Sequence, residues 1–165
     1  MGTGGLFLRR LRARVATEPT GFVWIEEGRL AGSGYPASRT QVMWLANNGI
    51  RSILTLTPEP LPSEWTEGLG LALGHVPMED HEAPGVEALE KGVSFIATQL
   101  REGRPVVVHC LAGEGRTGCV LAAFLIAERH FGGEEVLKVL RKAKPQFVER
   151  GQEKSVYDYA RAMKL

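Results

Sequence analysis

Val106-Val107-Val108-His109-Cys110-Leu111-Ala112-Gly113-Glu114-Gly115-Arg116-Thr117-Gly118 joins a strand to a helix. The β-branched run predicts a buried strand over 105–109. The stretch after Arg116 is apolar nearly all round, which predicts a helix buried among other elements. Cys110 ends the strand and Arg116 opens the helix six positions later. A free thiol has a pKa of about 8.5. A helix N-terminus and a neighbouring arginine both favour its thiolate, the attacking form. The N–H groups of Leu111, Ala112, Gly113, Glu114, Gly115 and Arg116 can line an anion nest, backed by the positive end of the helix. Arg116 adds a planar fork that matches two phosphate oxygens. Thr117 can donate its hydroxyl to the sulfur, and His109 is expected to bond nearby backbone and brace the loop. The pattern is suited to holding a thiolate against a tetrahedral oxyanion. A cysteine alone would read as an inert buried side chain; Arg116 at this spacing argues against that.

Outward from this loop, strands alternate with helices early in the chain and helices dominate late. Short strands are expected over 22–25 and 29–31, around a turn at Glu27-Gly28. Ser38 is the expected N-cap of a helix through Asn47, stopped by Asn48-Gly49. Strands are expected over 50–57 and 69–76, separated by a stretch whose three prolines (Pro58, Pro60, Pro62) impose an extended loop over 58–63. Residues 77–84 form a polar loop. Val86, Leu89, Val93, Ile96, Ala97 and Leu100 fall at helical spacing, and Gly103 ends that helix. Two more helices are expected over 134–143 and 152–163, with Pro145 between them. The order implies an α/β fold with a central, mostly parallel sheet flanked by helices.

A chain of 165 residues fits one domain with a real core. The net charge of +1 gives no bulk basic character, so a nucleic-acid partner is not expected. Two cysteines, Cys110 and Cys119, make no disulfide framework and fit a reducing compartment. The expected location is cytoplasmic. No run reaches the roughly 18 apolar residues of a membrane span. The domain proper is assigned to residues 21–165 and a basic arm to 1–20. That arm carries Arg9, Arg10, Arg12 and Arg14, and Leu8, Leu11 and Val15 fall at helical spacing. An arm packed on the domain, a flexible tail, and a mitochondrial targeting or membrane-surface segment are the three readings left open.

His-Cys-x5-Arg-Thr-Gly after a strand resembles the signature of cysteine-dependent protein phosphatases. The likeness is to the small, atypical dual-specificity type, including compact archaeal protein-tyrosine phosphatases. It extends beyond the loop. The segment from Trp24 through Gly28-Arg29-Leu30-Ala31-Gly32 resembles their first hairpin. His75-Val76-Pro77-Met78-Glu79-Asp80 resembles the segment that ends in their general acid, and Gln152-Glu153-Lys154-Ser155-Val156-Tyr157 the start of their last helix. The resemblance implies Asp80 as proton donor, thirty residues before Cys110. Glu79, Glu82 and His81 are the neighbouring alternatives. It also implies a two-step reaction through phosphocysteine, with no metal or other cofactor. Cys110, Asp80, Arg116 and Thr117 form the expected catalytic set, and residues 111–116 the phosphate cradle. A Walker A loop is absent, and sulfurtransferase loops place their arginine closer to the cysteine.

The expected substrates are phosphorylated proteins or peptides. Phosphotyrosine comes first, and a compact chain also leaves a shallow pocket open to phosphoserine and phosphothreonine. Residues 58–65 are the expected variable rim, where Trp65 could touch substrate. A phosphoinositide phosphatase is the rival reading within the enzyme class; Glu114 stands where lipid-directed loops often carry lysine. A phosphoprotein-binding module without catalysis is the rival outside it. Gln152 is open between positioning the hydrolytic water and simply starting a helix, since residues 148–152 look one residue shorter than their counterpart. Cys119 is open between a disulfide partner for Cys110 and a small core side chain. A monomer is expected, and membrane association is left open.

Overall fold

The computed structural model describes residues 16–165. The Arg-rich segment through Val15 lies outside them, so the readings of the arm are not addressed by the structure. Ala16 and Thr20 are tied to the domain. The Ala16 carbonyl accepts from Gln41 Nε2 at 3.1 Å, and the Thr20 carbonyl from the Gly34 N–H at 2.8 Å.

Five strands form one sheet: β1 (Val23–Glu26), β2 (Leu30–Ser33), β3 (Ser52–Thr55), β4 (Ala72–His75) and β5 (Val106–His109). Their order is β1-β2-β5-β3-β4. Only β1 runs antiparallel to its neighbour, so the sheet is mostly parallel, as expected. The three central strands are wholly buried while β4 alternates and β1 is half-buried, which follows from covering both faces of the sheet's middle.

Period-two alternation sorts the side chains. Leu30, Leu54, Val106 and Val108 enter the larger core. That core also holds α3 (Val86–Arg101), α4 (Gly115–Arg129), α5 (Gly133–Ala143) and α6 (Glu153–Ala162). Ala31, Ile53 and Val107 enter a smaller core under α1 (Arg39–Asn47). Every residue of α4 from Gly115 to Ile126 is buried, matching its all-round apolar sequence. Leu121, Phe124 and Ile126 each contribute on the order of 1.5–3 kcal/mol by leaving water. This central helix fixes where its N-terminus, and so Arg116, must lie.

Ser38 caps α1 as its sequence predicts, accepting from the Gln41 N–H at 3.3 Å. The strands β3 and β4 are shorter than the expected runs, although backbone bonds continue past them, from the Leu56 N–H to the His109 carbonyl at 3.0 Å and from the Met78 N–H to the Leu56 carbonyl at 2.9 Å. The proline-rich stretch ends in one helical turn, α2 (Ser63–Thr66), which overlaps the expected extended loop only at Ser63. Arg39 Nη1 donates to the Glu64 carbonyl within it at 2.9 Å and to the Glu67 carbonyl just after it at 3.0 Å. The turn also closes on itself, with the Trp65 N–H donating to the Pro62 carbonyl at 3.0 Å and the Glu67 N–H to the Ser63 carbonyl at 2.9 Å.

Candidate active site

The loop between β5 and α4 is built by satisfying its carbonyls from outside. The Cys110 carbonyl accepts from His109 Nδ1 at 3.1 Å, and the Leu111 carbonyl from the Tyr35 N–H at 3.0 Å. Lys144 Nζ reaches the Gly113 carbonyl at 2.8 Å. The Glu114 carbonyl takes the N–H groups of Gly118 at 2.9 Å and Val148 at 3.2 Å. In a trans peptide the carbonyl and the next N–H point in opposite directions. Four carbonyls held outward therefore turn the N–H groups of Leu111, Ala112, Glu114 and Gly115 to the inner side of the loop, as an anion nest requires. Gly113 allows the tightest approach. It has φ +73°, and a Cβ there would lie 2.3 Å from the Ser33 carbonyl oxygen.

Cys110 is buried at the base of this loop, and Thr117 Oγ1 donates to its Sγ at 3.1 Å. His109 faces the other side of the sheet, as alternation along β5 demands. A carbonyl only accepts, so His109 Nδ1 carries the proton given to the Cys110 carbonyl. Its Nε2, 2.8 Å from Thr55 Oγ1, then accepts the threonine hydroxyl. Burial, with a smaller contribution from the Arg116 charge, pushes the His109 pKa down to about 4. His109 is thus a neutral strut. Burial also lowers the pKa of Lys144, opposed by its interactions with Glu114 and Cys110.

Arg116 is almost wholly buried and spans two parts of the 77–84 loop. Nη1 donates to the Met78 carbonyl at 3.1 Å, and Nη2 lies 3.0 Å from Asp80 Oδ1. The His81 N–H also donates to Asp80 Oδ1, at 3.0 Å. His81 itself sits at φ +61°, with Nδ1 3.2 Å from Glu149 Oε2. Asp80 is thus paired with Arg116, and Cys110 with Thr117, the residue after Arg116 on α4. Glu79 and Glu82 are exposed and make no ion pair with Arg116.

A cleft of about 340 Å³ opens here, lined by Tyr35, Thr57, Pro58, Glu59, Asp80, Leu111 and Arg116. Pro58 and Glu59 come from the expected rim. Trp65 does not line the cleft; it packs edge-on behind Tyr35, with ring centroids 6.1 Å apart. Cys119 is fully buried on α4, and burial pushes its pKa up to about 12. Both cysteines are free thiols. The sequence reading missed Tyr35 and Lys144. A lysine just before Pro145 carries no motif, and only the fold brings it to Gly113. Among the described residues no cluster of three or more His, Cys, Asp or Glu side chains could hold a metal.

The family model described as Tc-R-P, polymorphic toxin system, DSP-PTPase phosphatase, matches residues 31–130. The chain belongs to this phosphatase family. The match begins in β2 and ends just past α4, so it takes in Asp80 and the whole Cys110 loop. Tyrosine-protein phosphatase CDC14 of Saccharomyces cerevisiae is 29% identical over 114 residues, covering 69% of this chain and 21% of that protein. The chain spans no more than about a third of the curated phosphatases it first matches. The crystal structure of Tk-PTP in its active form is 29% identical with a TM-score of 0.76, covering 86% of this chain and 96% of that one. PTPMT1 in complex with PI(5)P has a TM-score of 0.75 at 20% identity, covering 87% of this chain and 96% of that one, and shares the fold.

Proposed function

We propose that this chain hydrolyses phosphomonoesters on proteins, phosphotyrosine first and phosphoserine or phosphothreonine second, through a phosphocysteine. One observation carries the reading. A buried cysteine accepts a hydroxyl from Thr117 at 3.1 Å, while Arg116 on the same helix turn holds Asp80 at 3.0 Å. In the first step Cys110 Sγ bonds to phosphorus as the P–O bond to the leaving group breaks. Asp80 gives its proton to the departing oxygen. Arg116 and the loop amides hold the three equatorial oxygens as charge moves. In the second step a water oxygen bonds to phosphorus and the S–P bond breaks. Asp80 takes the water's proton, and Thr117 donates to the leaving thiolate.

The walls of the cleft support aryl substrates, since Tyr35, Pro58 and Leu111 offer apolar surface beside the Asp80–Arg116 pair. Glu59 at the rim and Glu114 in the loop oppose a polyanionic lipid headgroup. A thiolate enzyme with free thiols also suits a reducing, cytoplasmic setting. The test uses phosphotyrosine and phosphothreonine peptides, with a phosphoinositide as the competing substrate. Turnover of the peptides, abolished by Cys110→Ser and slowed by Asp80→Asn, is expected. Faster turnover of the lipid would overturn the protein-substrate reading.

A further inference from the structure

Gln152 is almost fully buried, yet its side chain does not cap the helix it precedes. It is spent on two loops instead. Oε1 accepts the Glu149 N–H at 3.2 Å, and Nε2 donates to the Glu82 carbonyl at 3.0 Å. The same amide lies against the phosphate loop, since a Cβ on Gly115 would fall 2.4 Å from Oε1. The backbone of Gln152 is anchored too: its carbonyl faces the Cys119 thiol of α4 at 3.9 Å. We infer that Gln152 is a positioning residue that latches the 77–84 loop through the Glu82 carbonyl and so holds Asp80 in its place beside Arg116.

The physical need for a latch lies between Asp80 and Glu82. His81 occupies the left-handed region at φ +61°, a conformation a residue with a Cβ keeps only when its surroundings hold it. Arg116 holds the loop on one side of His81, through Met78 and Asp80. On the other side Gln152 holds Glu82, while Glu149 holds the exposed imidazole of His81 itself. Without the Glu82 bond the segment can relax its backbone, and the Asp80 carboxyl moves from its place. General acid catalysis depends steeply on such placement.

The inference rests on the reading of Asp80 as the acid, and the experiment separates the two. Phenyl phosphate has a poor leaving group that needs a proton; p-nitrophenyl phosphate has a good one that needs little help. Gln152→Met removes both side-chain bonds. Gln152→Glu keeps the shape and the bond from Glu149, but a carboxylate cannot donate to the Glu82 carbonyl. The second variant carries the test if the first fails to fold in a thermal melt. We expect kcat/KM on phenyl phosphate to fall about tenfold or more, and on p-nitrophenyl phosphate by less than about threefold. Added to Asp80→Asn, either change should lower the phenyl phosphate rate by less than about twofold, because both act through one proton. Equal losses on the two substrates overturn the latch. So does an unchanged kcat/KM with phosphocysteine accumulating in a burst, the signature of a glutamine serving the hydrolytic water. Should Asp80→Asn itself show no selective loss, the acid assignment falls and the latch with it. Selectivity in Asp80→Asn but not in the Gln152 variants removes the latch alone.

Discussion

The hydroxyl of Thr117 points at the sulfur of Cys110 across 3.1 Å, and both residues are buried. A hydrogen bond to a charged group is worth about 1.5–3 kcal/mol. It counts most when the sulfur becomes a thiolate as phosphocysteine breaks. Thr117→Val keeps the methyl that packs against Gly32 and removes only the donor. Dephosphorylation of the enzyme should slow about 10- to 100-fold, giving a burst in stopped-flow assays. Thr117→Ser should retain most of the rate.

His109 links acid stability to the same loop. Below its ordinary pKa of 6.5 the unfolded chain takes up a proton that the folded chain refuses until about pH 4. This group's contribution is therefore full above pH 6.5, is lost as pH falls toward about 4, and levels off below that. The total loss is about 3 kcal/mol. Urea unfolding across this range should show the slope, and His109→Gln, which cannot titrate, should flatten it.

The sheet, its helices and the Cys110 loop are legible in the sequence because their signals are local. A β-branched run, an all-round apolar run and a Cys-x5-Arg spacing each report on neighbours in the chain. Resemblance selects Asp80 from four candidates, and it is the carboxylate the fold brings to Arg116. The outer struts are not legible. Tyr35 braces the loop through its backbone N–H to the Leu111 carbonyl, and Lys144 meets Gly113 from 31 positions away. Backbone partners and distant struts leave no mark in periodicity. Gln152 is visible as a residue, but the Glu82 bond that engages it depends on two loops meeting.

Two glycines with similar backbone angles separate conformational strain from close approach. Gly28 at φ +67° has nothing within 4 Å of the place a Cβ methyl would take, so Gly28→Ala should cost about 1 kcal/mol and leave turnover unchanged. Gly113 at φ +73° would place its Cβ 2.3 Å from the Ser33 carbonyl oxygen, so the loop itself must shift. Gly113→Ala should cost about 3 kcal/mol, and a displacement of about 1 Å at the site should lower kcat/KM about 100-fold. Thermal melts and p-nitrophenyl phosphate assays on the pair check both.

Lys144 secures the neighbouring peptide plane. Its ammonium donates to the Gly113 carbonyl at 2.8 Å and lies 5.4 Å from the Phe147 ring centroid. Lys144→Met keeps the apolar stem but leaves that carbonyl without its donor. A lost partner at such a site costs about 1–3 kcal/mol. The Gly113–Glu114 peptide is then free to turn, and the Glu114 N–H leaves the nest. Affinity for inorganic phosphate, read as competitive inhibition, should weaken about tenfold.

Arg116 carries the most demanding geometry, because two arms of one guanidinium serve two different parts of the acid loop. Nη1 reaches the Met78 carbonyl at 3.1 Å and Nη2 the Asp80 carboxylate at 3.0 Å. Lysine preserves the charge but is a point donor on a flexible stem and cannot span both. It also cannot grip two phosphate oxygens in one plane. Arg116→Lys should therefore lower kcat/KM by about 10³-fold, in the range of other arginines that stabilise phosphoryl transfer. If charge alone mattered, the loss would stay within about tenfold. Steady-state rates on a phosphotyrosine peptide, beside thermal melts that confirm folding, distinguish the two outcomes.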